Sequence, residues 1–172
     1  MISVVKRNGV VEPLNLDKLH RMVEFACDGL AGVSESAIEM NSNLQFYEHI
    51  MTSDIQEILI KSANDLITLE QPNYQYVAAR LLLFSYRKSV YKGHPDNPPP
   101  LIEHVKECIA KGVYDPDLIK QYSEEEWSEL HDFIDWDRDY LFTYAGLRQV
   151  VDKYLVQDRS TGEVFETPQQ MY

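Results

Sequence analysis

Residues 2–14 read Ile2-Ser3-Val4-Val5-Lys6-Arg7-Asn8-Gly9-Val10-Val11-Glu12-Pro13-Leu14. Two β-rich runs flank Asn8-Gly9, a dipeptide that favours tight reversal of the chain. The pattern predicts a β-hairpin with a type I′ turn, which needs positive φ at both central residues. Lys6 and Arg7 then stand at the strand end beside the turn and project to opposite faces. Pro13 closes the second strand, where no ladder bond is required of it.

Outward from the hairpin the pattern becomes helical. Asn15 is a good N-cap, and Leu16, Leu19, Val23, Ala26 and Leu30 recur at helical spacing until Gly29 and Gly32 interrupt. A second helix starts after Ser34 and runs through Ile38 toward Phe46. Ser53-Asp54-Ile55-Gln56 predicts a capping box opening a helix with Ile55, Leu59, Ser62-Ala63 and Leu66 inside. Pro72 suits the first turn of a long helix carrying Tyr76, Ala79-Arg80, Leu83-Phe84 and Arg87-Lys88, ended by Gly93. His94 to Pro100 holds four prolines in seven residues, a stiff linker. Beyond it, Leu101 to Ala110 places Val105, Cys108 and Ile109 on one face. Ser123 to Glu126 predicts a second capping box, leading Trp127, Leu130, Phe133 and Ile134 inward. Phe142 to Leu155 is helical by pattern, and Tyr154 to Phe165 reads as two strands around Ser160-Thr161-Gly162. The fold class is thus α+β, mainly helical.

Composition narrows the function. The 172 residues include 44% apolar and 26% charged residues, an ordinary globular balance. No run of about 18 uncharged apolar residues occurs, so no membrane partner is expected. Residues 1–93 carry nine Lys/Arg against eleven Asp/Glu, whereas residues 94–172 carry seven against seventeen. So acidic a second half would be repelled by a phosphate backbone, which disfavours nucleic acid. The two cysteines, Cys27 and Cys108, make neither a disulfide framework nor a metal cluster. Both lie on apolar helical faces and are expected as reduced, packed residues of a cytoplasmic protein.

No nucleophile constellation, metal-ligand spacing or phosphate-binding glycine loop is present. The acidic run of Asp135, Asp137 and Asp139 lacks the glycine and closing glutamate of a calcium loop and reads as an exposed face. What remains is a polar set near the hairpin: Lys6, Arg7, Glu12, Asn15 and Lys18, with Arg87 and Lys88 at the end of the long helix. Two readings are open from the residues alone. One is solvated strand charges, a helix cap and a cationic pair at a helix C-terminus. The other is a nucleotide pocket, with cations on phosphates and Glu12 accepting from an adenine amino group.

A family resemblance bears on that choice. Val4 to Gly9, followed by Glu12 and Asn15-Leu16-Asp17-Lys18-Leu19, resembles the opening of the ATP-cone. Thr52-Ser53-Asp54-Ile55 and the run Pro72 to Leu81 strengthen the likeness. That run resembles the class I ribonucleotide reductase large (alpha) subunit, as do Lys153 to Asp158, Thr161-Gly162-Glu163 and Glu166-Thr167-Pro168-Gln169.

The resemblance implies a hairpin capping a four-helix ATP-cone over residues 1–93, a linker at 94–100, and the incomplete start of the reductase's helical domain at 101–172, ending in a short hairpin. It implies ATP or dATP as allosteric effector, accompanied by Mg2+, in an enzyme that reduces ribonucleoside diphosphates to DNA precursors. Carried over by position, Val4, Lys6, Arg7, Glu12, Asn15, Lys18, Thr52 and Lys88 line the nucleotide pocket. Lys6, Arg7 and Lys88 would hold phosphates, with Glu12 and Asn15 nearer the nucleoside. Implied partners are a second alpha subunit and the radical-generating beta subunit. Family members shut down by dATP often carry histidines near the ligand in the third and fourth cone helices. Here Gln56 and Ser85 stand at those positions, so weak or absent dATP inhibition is expected. The family's catalytic cysteines lie downstream and Cys27 and Cys108 do not match them. The stretch is therefore expected to be an N-terminal piece, inactive alone. The rival expectation is a nucleotide-blind module used only for subunit contacts. A cone paired with a zinc ribbon, as in a nucleotide-responsive repressor, fails for want of CxxC pairs.

Overall fold

The opening stretch forms the expected hairpin, in a register shifted by one residue from the one a two-residue Asn8-Gly9 turn would set. In the computed structural model, which describes residues 2–6 and 8–172, β1 (Ser3–Val5) and β2 (Val11–Pro13) are antiparallel. Ser3 lies opposite Pro13, Val4 opposite Glu12 and Val5 opposite Val11. The turn itself differs from expectation. Gly9 donates its N–H to the Lys6 carbonyl and Lys6 donates to the Val10 carbonyl, both at 2.8 Å. Gly9 alone of the Asn8-Gly9 pair has positive φ, +80°. A left-handed glycine thus closes the turn, in place of type I′. Asn8 needs no positive φ there, and its side chain accepts from the Val10 N–H at 3.2 Å instead.

A strand that the sequence pattern did not announce completes the sheet. β3 (Ile50–Met51) pairs parallel to β1, with Val4 opposite Ile50 and Val5 opposite Met51, giving the order β2-β1-β3. The Ser3 carbonyl accepts from the His49 N–H at 2.8 Å and ties in the approach to it.

Two compact units divide the chain: residues up to 83 together with 142–147, and residues 84–141 together with 148–172. In the first, α1 (Leu16–Cys27) is capped by Asn15, whose Oδ1 accepts the Lys18 N–H at 3.0 Å. Leu19, Val23, Ala26 and Cys27 are buried. Leu16, expected inside, is 58% exposed, because side chains lean toward the helix N-terminus and this one projects past the first turn. Arg80 closes the other end of α1, donating Nη1 to the carbonyls of Ala26 and Asp28 at 3.2 and 2.7 Å. α2 (Glu35–Asn43) is capped by Ser34. α3 (Thr52–Asp65) continues directly from β3, so Met51 takes the cap position with no side-chain bond. The expected capping box at Ser53 is therefore not formed, and Ser53 lies inside the helix. α4 (Tyr74–Val90) begins two residues after Pro72. Tyr74, Val77, Ala78, Ala79, Leu81, Leu82 and Leu83 are all buried, so its first half is enclosed around much of its circumference rather than along one stripe.

In the second unit, α5 (Leu101–Ala110), α6 (Leu118–Gln121) and α7 (Glu124–Phe133) build a core on Leu101, Val105 and Trp127. The capping box at Ser123 forms as predicted: Ser123 Oγ accepts the Glu126 N–H at 3.2 Å, and Glu126 Oε2 accepts the Ser123 N–H at 2.7 Å. Leu130 and Phe133, expected inward, are 45% and 86% exposed. At about 100° per residue they stand roughly 60° and 120° round from Trp127, the side chain that meets the core. A 3₁₀ helix follows (Trp136–Leu141), then α8 (Tyr144–Lys153), which spans both units, and α9 (Pro168–Met171).

The two strands expected around Ser160 reduce to a single bridge between Gln157 and Val164. The reason is local: the Glu166 carboxylate accepts the Val156 N–H at 2.8 Å and turns the returning chain into the core. Among the described residues no helix is long and apolar enough to cross a membrane.

Candidate functional site

Period-two alternation places Val4, Lys6 and, across the hairpin, Glu12 on one face of the sheet. Val4 is buried there, and Lys6 Nζ meets Glu12 Oε2 at 2.7 Å with both side chains partly exposed. The chain leaves β2 at Pro13 and reaches Asn15 two residues later. Its carbonyl oxygen holds the first turn of α1 while its amide nitrogen stays a donor. Lys18 lies exposed on the same turn. Thr52 follows Met51, the residue opposite Val5, so the parallel pairing brings the start of α3 alongside the end of β1. With no side-chain cap on α3, its first amides and the positive end of its dipole add to the cationic character of this edge.

Six of the expected site residues, Val4, Lys6, Glu12, Asn15, Lys18 and Thr52, thus fall on the hairpin and at the starts of α1 and α3, within one unit. Arg7 lies outside the described residues. Lys88 is exposed on the last turn of α4, in the second unit. The arrangement combines cations and helix-terminal amides suited to an anion with a carboxylate suited to an amino group.

Arg87 behaves differently from an exposed helix-end cation. It is only 3% exposed. Its Nη1 donates to the Tyr140 hydroxyl at 2.7 Å, its Nη2 donates to the Trp136 carbonyl, and the guanidinium lies 4.7 Å over the Tyr140 ring. Asp139 Oδ2 is 3.5 Å from Nη2. The acidic run is likewise not wholly an exposed face, since Asp139 is buried. Within this unit Arg87, Asp96, Pro98, Ile134, Asp135, Trp136, Asp137 and Tyr140 line an open cleft of about 520 Å³, to which none of the expected site residues contributes.

Both cysteines are buried, and burial pushes each thiol up to about 11, so neither is a thiolate nucleophile near neutral pH. His104 Nε2 lies 3.5 Å from Cys108 Sγ, and burial pulls this imidazole down to about 4, so the pair is neutral. Among the described residues no group of three or more His, Cys, Asp or Glu could hold a metal ion.

Residues 2–89 match the ATP cone domain, just over half of the chain, and the chain belongs to that family. Its similarity continues past the cone. Over 171 residues, 99% of the chain, it is 49% identical to the ribonucleoside-diphosphate reductase subunit alpha of Haemophilus influenzae. It is 48% identical over the same extent to the ribonucleoside-diphosphate reductase 1 subunit alpha of Escherichia coli. The corresponding subunit of phage T4 is 40% identical over 98% of the chain. The chain spans about a fifth of the length of these relatives, 22% of each. The likeness of residues beyond 93 to the reductase alpha subunit is therefore borne out along with the cone.

Proposed function

We propose that this chain is the activity-regulating part of a ribonucleoside-diphosphate reductase alpha subunit, and that its cone binds ATP or dATP. The observation that carries the proposal is the cone match over residues 2–89, supported by the position of Lys6, Glu12, Asn15, Lys18 and Thr52 on the hairpin and at the starts of α1 and α3. Residues 1–93 form the four-helix cone, 94–100 the linker and 101–172 the start of the reductase's helical domain. Lys6, with Arg7 and Lys88 assigned by the resemblance, holds phosphate oxygens. Glu12 and Asn15 face the nucleoside, while Val4 packs beneath it. Mg2+ accompanying the nucleotide would neutralise phosphate charge while needing few protein ligands.

The cone acts by population shift: nucleotide biases assembly only as far as it prefers one arrangement over another. A coupling of about 1–3 kcal/mol changes an affinity roughly 5- to 150-fold, enough for regulation. The assembly comprises alpha subunits and a radical-generating beta subunit. The reduction of ribonucleoside diphosphates belongs to parts of the enzyme beyond these residues, whose own cysteines are buried neutral thiols. In place of histidines at the two positions that the resemblance connects with dATP shut-off stand Gln56 and Ser85. Gln56 Nε2 donates to the Leu81 carbonyl at 2.9 Å, pinning α3 to α4. Inhibition by dATP is accordingly weak or absent, and a steep fall in activity of the complete enzyme at high dATP would refute this.

A second reading has one observation in its favour. Lys6 and Glu12 satisfy each other at 2.7 Å, as they would in a nucleotide-blind module used only for subunit contacts. Calorimetric titration of ATP and of dATP into the 172-residue chain separates the two. Saturable heat supports the cone as a nucleotide site, and silence at millimolar nucleotide supports the rival.

A further inference from the structure

Among the described residues the buried polar side chains are Ser42 and Ser62 in the first unit and five more in the second. Arg87, His104, Asp139, Glu166 and Thr167 are all at most 5% exposed and all belong to the second unit. Three of them, Arg87, Asp139 and Thr167, with Tyr91, Gln169 and Gln170, hold two short elements against the end of α4. Arg87 on α4 engages Trp136, Asp139 and Tyr140 of the 3₁₀ helix. Asp139 Oδ1 in turn accepts from Gln169 Nε2 on α9 at 3.2 Å. Tyr91, just past α4, shares a hydrogen bond of 3.0 Å with Thr167 at the start of α9, and Gln170 Oε1 accepts the Thr167 N–H at 2.8 Å. Glu166, the residue before, accepts from the Val156 N–H and from the Tyr114 hydroxyl. Neither the 3₁₀ helix nor α9 can leave without breaking the other's bonds.

The network is also incompletely satisfied. Arg87 Nε, Asp139 Oδ2 and Gln170 Nε2 are buried with no hydrogen-bond partner, and each such group costs stability that exposure to water would restore.

We propose that the 3₁₀ helix Trp136–Leu141 and the segment Glu166–Met171 form one strap that opens cooperatively from the end of α4 while α5 and α7 stay folded. Opening hydrates Arg87 Nε and Gln170 Nε2 together with Asp139 Oδ2, whose only partner among the described residues is the guanidinium at 3.5 Å, and releases Arg87 and Tyr91 to solvent. Burial raises the Asp139 carboxyl above the usual carboxylate range despite the guanidinium beside it, which accords with a closed state that the ion pair does not dominate.

Native-state hydrogen exchange on the 172-residue chain tests this. Asp139→Asn is expected to speed exchange at least tenfold in peptides covering 136–141 and, by the same factor, in peptides covering 168–172, leaving 101–110 unchanged. Gln169→Ala, a milder change on the other element, is expected to act reciprocally and speed 136–141. Acceleration confined to the mutated element, or spread equally through 101–110, overturns the proposal, as does no change from either variant. Should Asp139→Asn fail to fold, the reciprocal effect of Gln169→Ala decides alone.

Discussion

Replacing Lys6 with alanine separates what this side chain does for the fold from what it does for a ligand. In the free protein its ammonium sits 2.7 Å from Glu12, with the two side chains 41% and 34% exposed. Pairs so open to water contribute only about 0–1 kcal/mol, and the sheet is held by backbone pairing that alanine retains. Lys6→Ala should therefore lower unfolding stability by no more than about 1 kcal/mol. A charge-assisted contact to a phosphate oxygen is worth about 1.5–3 kcal/mol, which corresponds to a loss of affinity of roughly 10- to 100-fold. The lower part of that range is expected, because nucleotide must first draw Lys6 away from Glu12. Calorimetry with ATP, paired with urea unfolding of the same preparations, measures both quantities. Affinity within twofold of the parent would refute the assignment of Lys6. A large affinity loss accompanied by several kcal/mol of destabilisation would show that the residue acts through the fold.

Other consequences are open to measurement. Gly9→Ala places a Cβ at φ +80° and should cost about 1 kcal/mol in urea unfolding, through strain rather than collision, since open space surrounds the position. Removing the capping hydroxyl with Ser123→Ala should cost about 1 kcal/mol and leave nucleotide binding unaltered. Leu59, fully buried in α3, should cost about 2–5 kcal/mol when cut to alanine. Stability should also fall on acidification from pH 6.5 toward about 4, because the unfolded chain protonates His104 before the folded one does. The slope approaches 1.4 kcal/mol per pH unit for one proton. Asp139, raised by burial, opposes this by taking up its proton more readily in the folded state. The difference between parent and His104→Gln over that window is the quantity to measure, and parallel curves would exclude His104 as the cause.

How much of this was legible in the chain depends on how local the cause is. The existence of the hairpin follows from two β-rich runs and a glycine turn within a dozen residues, but its register, and with it the Lys6–Glu12 approach, is set by a longer loop than the sequence suggests. The Ser123 capping box is written in four consecutive residues and forms as read. The matching signal at Ser53 does not form, because β3 runs straight into α3 and moves the helix start to Thr52. β3 itself is two residues long, too short to alternate. Arg87 shows the limit most clearly. Beside Lys88 it reads as a solvated helix end, yet its partners Trp136, Asp139 and Tyr140 lie about fifty residues away and nothing near Arg87 points to them. The identity of the site residues as a set came from resemblance rather than from spacing.

The parallel pairing of β1 with β3 has a consequence for biosynthesis. Val4 leaves the ribosome well ahead of its partner Ile50, which emerges only after α1 and α2 have been made. Closing so long a loop is slower than zipping the adjacent hairpin. The nascent chain must therefore hold one unpaired strand edge until residue 51 has cleared the exit tunnel.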